Sequence, residues 1–267
     1  RPPPDAARQI RDSGGLRRRP DLGLLPDQMV RGKIGFLFPG QGAQFVGMGK
    51  EWADQFKEAR ALYEEADSIL SYSLSRTCFE GPEDALTRTL NAQPAIFVTS
   101  LALYAVLRET IGDFKPDFAA GLSLGEFTAL VVAGSLSFAD GLNLVKARAE
   151  LMEKAAGRNT GTMVSILGMN QQDATSVATE SGAEMANLNA PDQFVLSGSV
   201  PAVEKAAQLA EAKGAKKIIR LKVSGAFHSS LMKEAKDGLR TKLASVLIKS
   251  PSSIFAPNAL GKGETNP

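Results

Sequence analysis

The sequence predicts an α/β protein whose large domain has a parallel-rich sheet and carries an inserted α+β subdomain. Three observations lead to this fold class. Short apolar runs alternate with long helical patterns from residue 33 onward, a Gly-Leu-Ser-Leu-Gly turn joins one such run to a helical pattern, and the rhythm of elements changes between residues 157 and 222. Strands that alternate with helices are typical of parallel sheets covered by helices.

The composition is that of an ordinary globular protein. Of the 267 residues, 43% are hydrophobic and 22% are charged, and the formal net charge is +2. Nucleic-acid binding normally needs a concentrated basic face, so we expect no nucleic-acid partner. No apolar run approaches the roughly 20 residues of a membrane helix, so we expect no membrane segment. One Cys and one His are too few for a disulfide framework or a zinc site, and we expect no metal.

Residues 1–32 are predicted to be a disordered leader. They are rich in Pro, Gly and Arg and show no hydrophobic periodicity. An Arg-rich leader is typical of a transit peptide, which would place the protein in a plastid or another organelle. Four Asp and a single Ser argue against that interpretation, and the alternative is a disordered extension on a cytoplasmic protein.

The large domain is assigned to residues 33–156 and 223–267. Its first strand is the apolar run 34–38, which a Pro-Gly pair ends, as expected for a buried strand. Residues 91–111 form a long, mostly apolar pattern that predicts a buried helix. Residues 117–120 are a short apolar run that predicts a second strand.

Further elements complete the large domain. Residues 124–132 predict an apolar helix, and residues 138–156 predict an amphipathic one, because charged side chains stand among apolar positions. After the insert, residues 230–247 predict a helix and residues 254–256 a strand that returns to the large sheet. The chain stops at residue 267 without a further closing element, so the large domain is expected to be C-terminally incomplete.

Residues 157–222 are predicted to form a ferredoxin-like subdomain inserted into the large domain. The pattern runs strand, helix, strand, strand, helix, strand, and this βαββαβ order is that of the ferredoxin-like motif. The strands are 162–167, 184–188, 194–197 and 217–221, and the helices are 171–180 and 201–213. About 65 residues are enough for an inserted compact unit.

A nucleophilic serine is predicted in the turn from Gly121 to Gly125. A G-x-S-x-G pattern between a strand and a helix is typical of the nucleophile elbow of hydrolase-like α/β domains. The glycines allow the tight turn, and Ser123 then lies at the start of a helix whose free N–H groups favour negative charge. The N–H of Leu124 is a candidate oxyanion donor. The alternative is an ordinary glycine-flanked turn.

The candidate base is His228, the only histidine and therefore the only imidazole that can activate a serine near neutral pH. It lies just after the predicted insert, where the chain returns to the large domain, so it can meet Ser123 across a cleft. A carboxylate to orient the imidazole has no clear candidate, since Asp237 is predicted to face solvent. The alternative is a histidine of the core or surface without a catalytic role.

Four motifs in order resemble those of the malonyl-CoA:acyl carrier protein transacylase family. They are Phe-Pro-Gly-Gln-Gly-Ala-Gln at 38–44 with Gly-Met-Gly at 47–49, the serine elbow at 121–125, Lys-Ala-Arg at 146–148 with its helix through 152, and Gly-Ala-Phe-His at 225–228. Residues 187–198 are similar to the asparagine-containing segment of the family. The chain departs from the family at Leu122, where His is common, and stops before a segment associated with holding the histidine.

The resemblance implies a role for each main site residue. Ser123 would take malonyl from coenzyme A and pass it to the phosphopantetheine thiol of acyl carrier protein, for fatty acid biosynthesis, while His228 moves the proton. Gln41 would help the Leu124 N–H to bind the oxyanion. Arg148 would hold the free carboxylate of malonate through two parallel hydrogen bonds.

The resemblance also implies substrate contacts and partners. Phe227 would crowd a 2-methyl branch and favour malonyl over methylmalonyl, although one methyl group is worth only about 1–3 kcal/mol. Met152 and Asn189 lie in the matching segments and are assigned to the substrate site. Malonyl-CoA and acyl carrier protein are the expected substrate and partner, no cofactor is expected, and the protein is expected to be a monomer.

Two other functions remain open. A serine hydrolase or thioesterase would share the elbow and the base but would have no need of Arg148. A non-catalytic fragment that binds acyl carrier protein is the other alternative, suggested by the end of the chain. A basic cluster would suit an acidic carrier or the phosphates of coenzyme A, or would be simply a solvated surface. Its members are Lys213, Lys216, Lys217, Arg220 and Lys222.

Overall fold

The larger sheet has three parallel strands. In the computed structural model, which describes residues 32–112 and 114–266, they are β1 (Gly35–Phe38), β2 (Phe118–Gly121) and β7 (Ile254–Ala256), in the order β1-β2-β7. The central strand β2 pairs in parallel with both neighbours, so the three predicted strands share one sheet. Parallel pairing brings the carboxyl ends of the strands to one edge, and the predicted serine elbow lies there.

The predicted leader, residues 1–32, lies outside the described residues apart from Gly32, and so does its interpretation as a transit peptide. Residues Ile34–Pro267 form one compact unit. The domain boundaries predicted at 157 and 223 therefore stay predictions, although the residues between them form a sheet of their own.

Helices pack around the larger sheet. They are α1 (Lys50–Gln55), α2 (Lys57–Leu70), α3 (Leu74–Glu80), α4 (Glu83–Thr87), α5 (Thr89–Ile111), α6 (Gly125–Val132), α7 (Phe138–Arg158) and α10 (Lys233–Leu243). The helices predicted at 91–111, 124–132 and 138–156 are confirmed as α5, α6 and α7. α5 is central and packs against α2 and α7, and its buried Phe97 belongs to the same core cluster as Phe38 of β1.

α5 is also long and apolar enough to cross a membrane. It has 23 residues with a mean hydropathy of 1.5 in its most apolar window, so the expectation that no segment approaches this length is wrong. However, 61% of that window is buried inside the protein. A core helix that is covered on all sides passes the same test of length and composition.

Residues between the two parts of the larger domain form a second, antiparallel sheet. Its strands are β3 (Thr162–Leu167), β4 (Glu184–Ala190), β5 (Gln193–Gly198) and β6 (Lys217–Arg220), and its helices are α8 (Gln171–Ser181) and α9 (Val200–Ala212). The strand order is β4-β5-β3-β6, and each neighbouring pair is antiparallel. The predicted sequence of elements is confirmed. Asn170 and Ser199 cap the two helices, as their side chains favour.

The second sheet packs on both of its faces. Ile166 of β3 points toward α8 and α9 and belongs to the core cluster of this part of the chain. Because side chains alternate along a strand, Met163 points to the other side, where it packs with Met152 and Phe227. Two predicted substrate residues therefore lie where the second sheet meets the larger domain.

The bounds of the helix predicted at 230–247 are wrong. The chain forms a 3₁₀ turn at Ser230–Met232, and α10 covers only Lys233–Leu243. Beyond it the N–H groups of Ser245 and Val246 donate to carbonyls three residues back instead of four. This tighter pattern is typical of the end of a helix.

Candidate active site

The turn between β2 and α6 forms the predicted elbow. Ser123 has φ 52°, a left-handed backbone that residues with a side chain rarely adopt. A Cβ on Gly121 would overlap the main chain of Gly125, and a Cβ on Gly125 would overlap the carbonyl of Phe38, so both positions require glycine. Ser123 is thus presented at the carboxyl edge of β2, just before the first turn of α6.

The structure brings the predicted nucleophile and base together. His228 Nε2 lies 3.0 Å from Ser123 Oγ. The pKa of His228 is lowered, first by burial within the cleft and then by the positive charge of Arg148. The imidazole is therefore neutral at pH 7, which is the form that accepts the serine proton.

The other ring nitrogen of His228 has no acceptor among the residues that the structure describes. Within residues 32–112 and 114–266, no hydrogen bond involves Nδ1. Asp237 does not orient the imidazole. Its carboxylate lies on the exposed surface, as predicted, and accepts a hydrogen bond from Lys233 Nζ at 2.8 Å. This part of the chain therefore does not supply the third group that fixes the imidazole tautomer in many serine enzymes.

Arg148 reaches the site from α7. Its Nη2 donates to Ser123 Oγ at 2.6 Å, and its Nη1 donates to Gln93 Oε1 at 2.7 Å. The residue is 9% exposed, and burial lowers its pKa to about 10, against the opposing effect of the Glu126 carboxylate. Arg148 thus remains a cation at neutral pH. No carboxylate of the described residues forms an ion pair with it, so a buried positive charge beside the serine is available to an anionic ligand.

The sequence-based prediction misses Gln93, which is fully buried in α5. Its Oε1 accepts from Arg148, and its Nε2 donates to Gln41 Oε1 at 3.3 Å and to Met152 Sδ at 3.4 Å. Gln41 Nε2 in turn donates to Thr89 Oγ1 at 3.2 Å. One amide therefore links three predicted site residues. A glutamine within an apolar helix is the signal that would have identified it, because buried amides need partners.

The two predicted oxyanion residues have available N–H groups. The N–H of Ser123 itself is occupied, since it donates to Asn258 Oδ1 at 2.7 Å. The main-chain N–H groups of Leu124 and Gln41 have no acceptor within the part of the chain that is described. The Leu124 side chain is fully buried, which anchors the main chain at this point. Both N–H groups are therefore free to bind a ligand oxygen.

Asn258 is a second residue that the sequence-based prediction misses. It follows β7 and forms three hydrogen bonds, each of 2.7 Å, with the Ser123 N–H, the Gly121 carbonyl and the Glu126 carboxylate. No local pattern identifies it, because the parallel pairing of β2 with β7 brings it to the elbow.

The site opens into a cavity of about 730 Å³. The predicted residues that line it are Gln41, Ser123, Arg148, Met152, Asn189, Phe227 and His228. Leu124 is the one predicted site residue outside this lining, as expected for a residue that contributes its N–H. Ligand pockets commonly measure about 300–1,000 Å³, so the cavity has room for an acyl group and part of its carrier. Among the described residues, no three His, Cys, Asp or Glu side chains are arranged to hold a metal ion.

The predicted basic cluster does not form one continuous free surface. Lys213 Nζ lies 2.8 Å from Glu180 Oε1, and Arg220 Nη2 lies 2.5 Å from Glu204 Oε2. Lys222 lines the cavity and forms no ion pair with any described residue. Of the cluster, Lys222 is therefore the member placed to meet a ligand of the site.

Comparison with known proteins finds a matching family and several similar proteins. The acyl transferase domain family matches residues 35–259. The malonyl CoA-acyl carrier protein transacylase of Bacillus subtilis (strain 168) is 48% identical over 222 residues, which cover 81% of this chain and 69% of that protein. Acyl-carrier-protein-S-malonyltransferase from Bartonella henselae has a similar structure, with a TM-score of 0.83 and 38% identity over 88% of this chain and 76% of that one. A malonyl-transacylase in complex with its type II PKS acyl-carrier protein gives a TM-score of 0.84 and 34% identity over 88% of this chain and 77% of that one.

The family match covers both sheets and every predicted site residue, from Gln41 to His228. The solved relatives share the α/β fold with its parallel and antiparallel sheets. This chain belongs to the acyl transferase family and, within it, to the malonyl CoA-acyl carrier protein transacylases.

Proposed function

We propose that this chain transfers malonyl from coenzyme A to acyl carrier protein through an acyl-enzyme on Ser123, in fatty acid biosynthesis. The observation that carries the proposal is the Arg148 guanidinium, 2.6 Å from Ser123 Oγ and without an ion-pair partner among the described residues. A thioesterase or another serine hydrolase would use the Ser–His pair and the oxyanion donors but would need no cation for the acyl group. Malonyl transfer also needs a cation for the free carboxylate of the acyl group.

The first half-reaction forms the acyl-enzyme. His228 Nε2 accepts the hydroxyl proton of Ser123, 3.0 Å away, as Oγ attacks the thioester carbonyl of malonyl-CoA. The carbonyl oxygen becomes an oxyanion and accepts hydrogen bonds from the N–H groups of Leu124 and Gln41. Collapse breaks the C–S bond, His228 returns the proton to the coenzyme A thiolate, and malonyl remains on Ser123.

The second half-reaction repeats these steps with another thiol. The phosphopantetheine thiol of acyl carrier protein gives its proton to His228, and the sulfur attacks the ester on Ser123. Collapse expels Ser123 Oγ, which takes the proton back from the imidazole. Both halves start from neutral imidazole, so the lowered pKa of His228 keeps the base competent at neutral pH.

Arg148 selects the acyl group. The malonyl carboxylate accepts two parallel hydrogen bonds from the guanidinium and replaces the bond that goes to Ser123 Oγ. Hydrogen bonds to charged groups contribute about 1.5–3 kcal/mol, and the burial of Arg148 limits competition from water. Phe227, which is 6% exposed, lines the cavity beside His228 and crowds a 2-methyl branch.

The cavity suits a phosphorylated carrier arm. Lys222 offers a cation to the phosphates of coenzyme A or to an acidic carrier protein. The reaction needs no cofactor besides the substrate malonyl-CoA, because every proton and bond is handled by Ser123, His228 and the two thiols. We expect a monomer, located in the cytoplasm unless residues 1–32 direct the chain to a plastid or another organelle.

We also infer the finer fold class. The strand order β4-β5-β3-β6, with α8 and α9 connecting its strands, supports a ferredoxin-like subdomain. The strand–elbow–helix arrangement of β2, Ser123 and α6 supports a hydrolase-like large domain.

The test is intact-mass spectrometry of the purified chain after exposure to malonyl-CoA or acetyl-CoA. Wild type is expected to gain one malonyl group, and S123A none. R148A is expected to form the malonyl adduct about 10- to 10²-fold more slowly and to keep its rate with acetyl-CoA. The reason is that malonyl has a free carboxylate that binds Arg148, whereas acetyl has none. K146A removes a cation from the same helix outside the cavity and is expected to match wild type.

Two outcomes would overturn the proposal. An equal loss of both adducts in R148A would favour a serine hydrolase or thioesterase. Binding of acyl carrier protein without any adduct on Ser123 would favour a non-catalytic carrier-binding fragment.

A further inference from the structure

Asn258 ties the chain after β7 to both sides of the serine elbow. Its Oδ1 accepts from the Ser123 N–H, and its Nδ2 donates to the Gly121 carbonyl, each at 2.7 Å. Its own main-chain N–H donates to Glu126 Oε1, also at 2.7 Å, so the first turn of α6 fixes Asn258 in turn. The three bonds join β7, the end of β2 and the start of α6.

These bonds act where the backbone of the site is most constrained. Ser123 has φ 52°, and such a conformation persists in an L residue only when its surroundings hold it. The Gly121 carbonyl and the Ser123 N–H flank the turn, and one side-chain amide satisfies both. An amide offers an acceptor and a donor in one plane, which no carboxylate or hydroxyl of this length reproduces.

The bond to the Ser123 N–H also determines which N–H groups face the substrate. Because Asn258 occupies it, this N–H cannot also turn toward an oxyanion. The neighbouring N–H of Leu124 has no acceptor within residues 32–112 and 114–266. The Asn258 amide therefore uses the Ser123 N–H to hold the turn and leaves the Leu124 N–H for the ligand.

We propose that Asn258 is a positioning residue of the acyl transfer. It holds the elbow so that Ser123 Oγ stays within reach of His228 Nε2 and the Leu124 N–H faces the developing oxyanion. The inference rests on the proposed function for the identity of the acyl donor, and on the elbow geometry alone for the reactivity of the serine.

The experiment measures how fast Ser123 of the full chain reacts with a fluorophosphonate, which labels activated serines whatever their natural acyl donor, and with malonyl-CoA. N258A removes both side-chain bonds, and it is expected to react about 10²-fold more slowly with both reagents, because a displacement of about 1 Å costs that much. N258D keeps an acceptor for the Ser123 N–H but loses the donor to Gly121, so its rate is expected to fall between the two.

Two readouts separate positioning from general structural damage. The KM for malonyl-CoA and the acid limb of the pH profile are expected to match wild type in N258A, because Asn258 contacts neither Arg148 nor His228. Only the rate at saturating donor is expected to change.

N170A is the matched control. Asn170 caps α8, where its Oδ1 accepts from the Asp173 N–H at 2.9 Å and its Nδ2 donates to Asp173 Oδ2 at 2.7 Å. The same substitution therefore removes two side-chain bonds outside the lining of the cavity. N170A is expected to lower the midpoint of thermal unfolding and to keep the wild-type rate with the fluorophosphonate.

The proposal is overturned if N258A reacts with the fluorophosphonate as fast as wild type, or if N170A loses as much reactivity as N258A. Where N258A does not fold, wild-type reactivity of folded N258D overturns it. If wild type reacts with the fluorophosphonate and not with malonyl-CoA, while N258A reacts slowly, the proposed function fails and the role of Asn258 stands.

Discussion

The two sides of the catalytic pair are held in different ways. Ser123 and His228 both have left-handed backbones, with φ of 52° and 58°. The serine lies in a turn between β2 and α6, where Asn258 bonds the main chain on both sides. The histidine lies in the segment after β6, and its Nδ1 finds no acceptor in the described part of the chain. Sheet pairing thus fixes the nucleophile, whereas a loop holds the base.

The looser hold on His228 affects its tautomer as well as its position. To accept the serine proton, Nε2 of His228 must be unprotonated, so Nδ1 must carry the hydrogen. A hydrogen-bond acceptor at Nδ1 would favour this tautomer, as the third group of a catalytic triad does. Within residues 32–112 and 114–266, the nucleophile is therefore preorganised more completely than the base.

Removal of the base is expected to have the largest effect. H228A should form the acyl-enzyme about 10²- to 10⁴-fold more slowly at pH 7, because it loses the only imidazole of the sequence and the base that lies 3.0 Å from Ser123 Oγ. Adduct formation followed by mass under single-turnover conditions measures this rate. Added imidazole is expected to restore part of the rate, since the substitution leaves space for it in the cavity.

S229A serves as the control for the histidine segment. It keeps the imidazole and removes two bonds of Ser229 Oγ, the one donated to the Ala226 carbonyl at 2.7 Å and the one accepted from the Leu231 N–H at 3.3 Å. Its rate should lie much closer to wild type than that of H228A. An H228A variant as fast as wild type would mean that another group serves as base.

Substitution of a glycine in the serine elbow is expected to lower the stability of the protein. G125A places a Cβ against the Phe38 carbonyl, where the main chains of β1 and α6 meet, so the free energy of unfolding should fall by about 3 kcal/mol. G157A is the matched control, because Gly157 lies in α7 with no heavy atom within 4 Å of an added Cβ. Alanine there should raise the free energy of unfolding by about 0.5–1 kcal/mol. Urea unfolding measures both, and equal effects would contradict the role of close packing at the elbow.

Elements with marked ends could be predicted closely from the sequence. The strands predicted at 162–167 and 254–256 have the observed bounds of β3 and β7, because Gly, Pro or Ser flanks each apolar run. The helix predicted at 230–247 is wrong at both ends. Its first turn is a 3₁₀ turn capped by Ser229, and its last turn tightens after Leu243, where no glycine or proline marks the change. The sequence analysis does not delimit α1 to α4. α1, α3 and α4 have only five to seven residues, too few to show a period. α2 is a miss of another kind, because its 14 residues bury Ala59, Tyr63, Ala66 and Leu70 at helical spacing.

The residues of the site likewise differ in how well the sequence predicts them. Ser123, Arg148 and His228 each lie within a local motif, and the structure brings all three together. Asn258 lies 135 residues from Ser123 and meets it only through the register of β2 with β7, which no local pattern reports. Gln93 acts through side chains of α7 and the loop after β1, so its role depends on packing between distant elements. The residues that hold the site are less predictable than those that react.

The smallest effect expected is on the pH dependence of the reaction rate, which the charge of Arg148 influences through the pKa of His228. The pKa of His228 lies below its ordinary value of 6.5, first because of burial and then because of the charge of Arg148. Since the imidazole acts as a base only when neutral, the rate with acetyl-CoA should be at its plateau at neutral pH and fall as the pH drops through the lowered pKa. R148A removes one of the two causes, so the pKa of His228 should rise and the falling limb should move to higher pH, whereas K146A should leave it in place. A limb that moved to lower pH in R148A would contradict the assignment, because the loss of a nearby positive charge makes an imidazole easier to protonate.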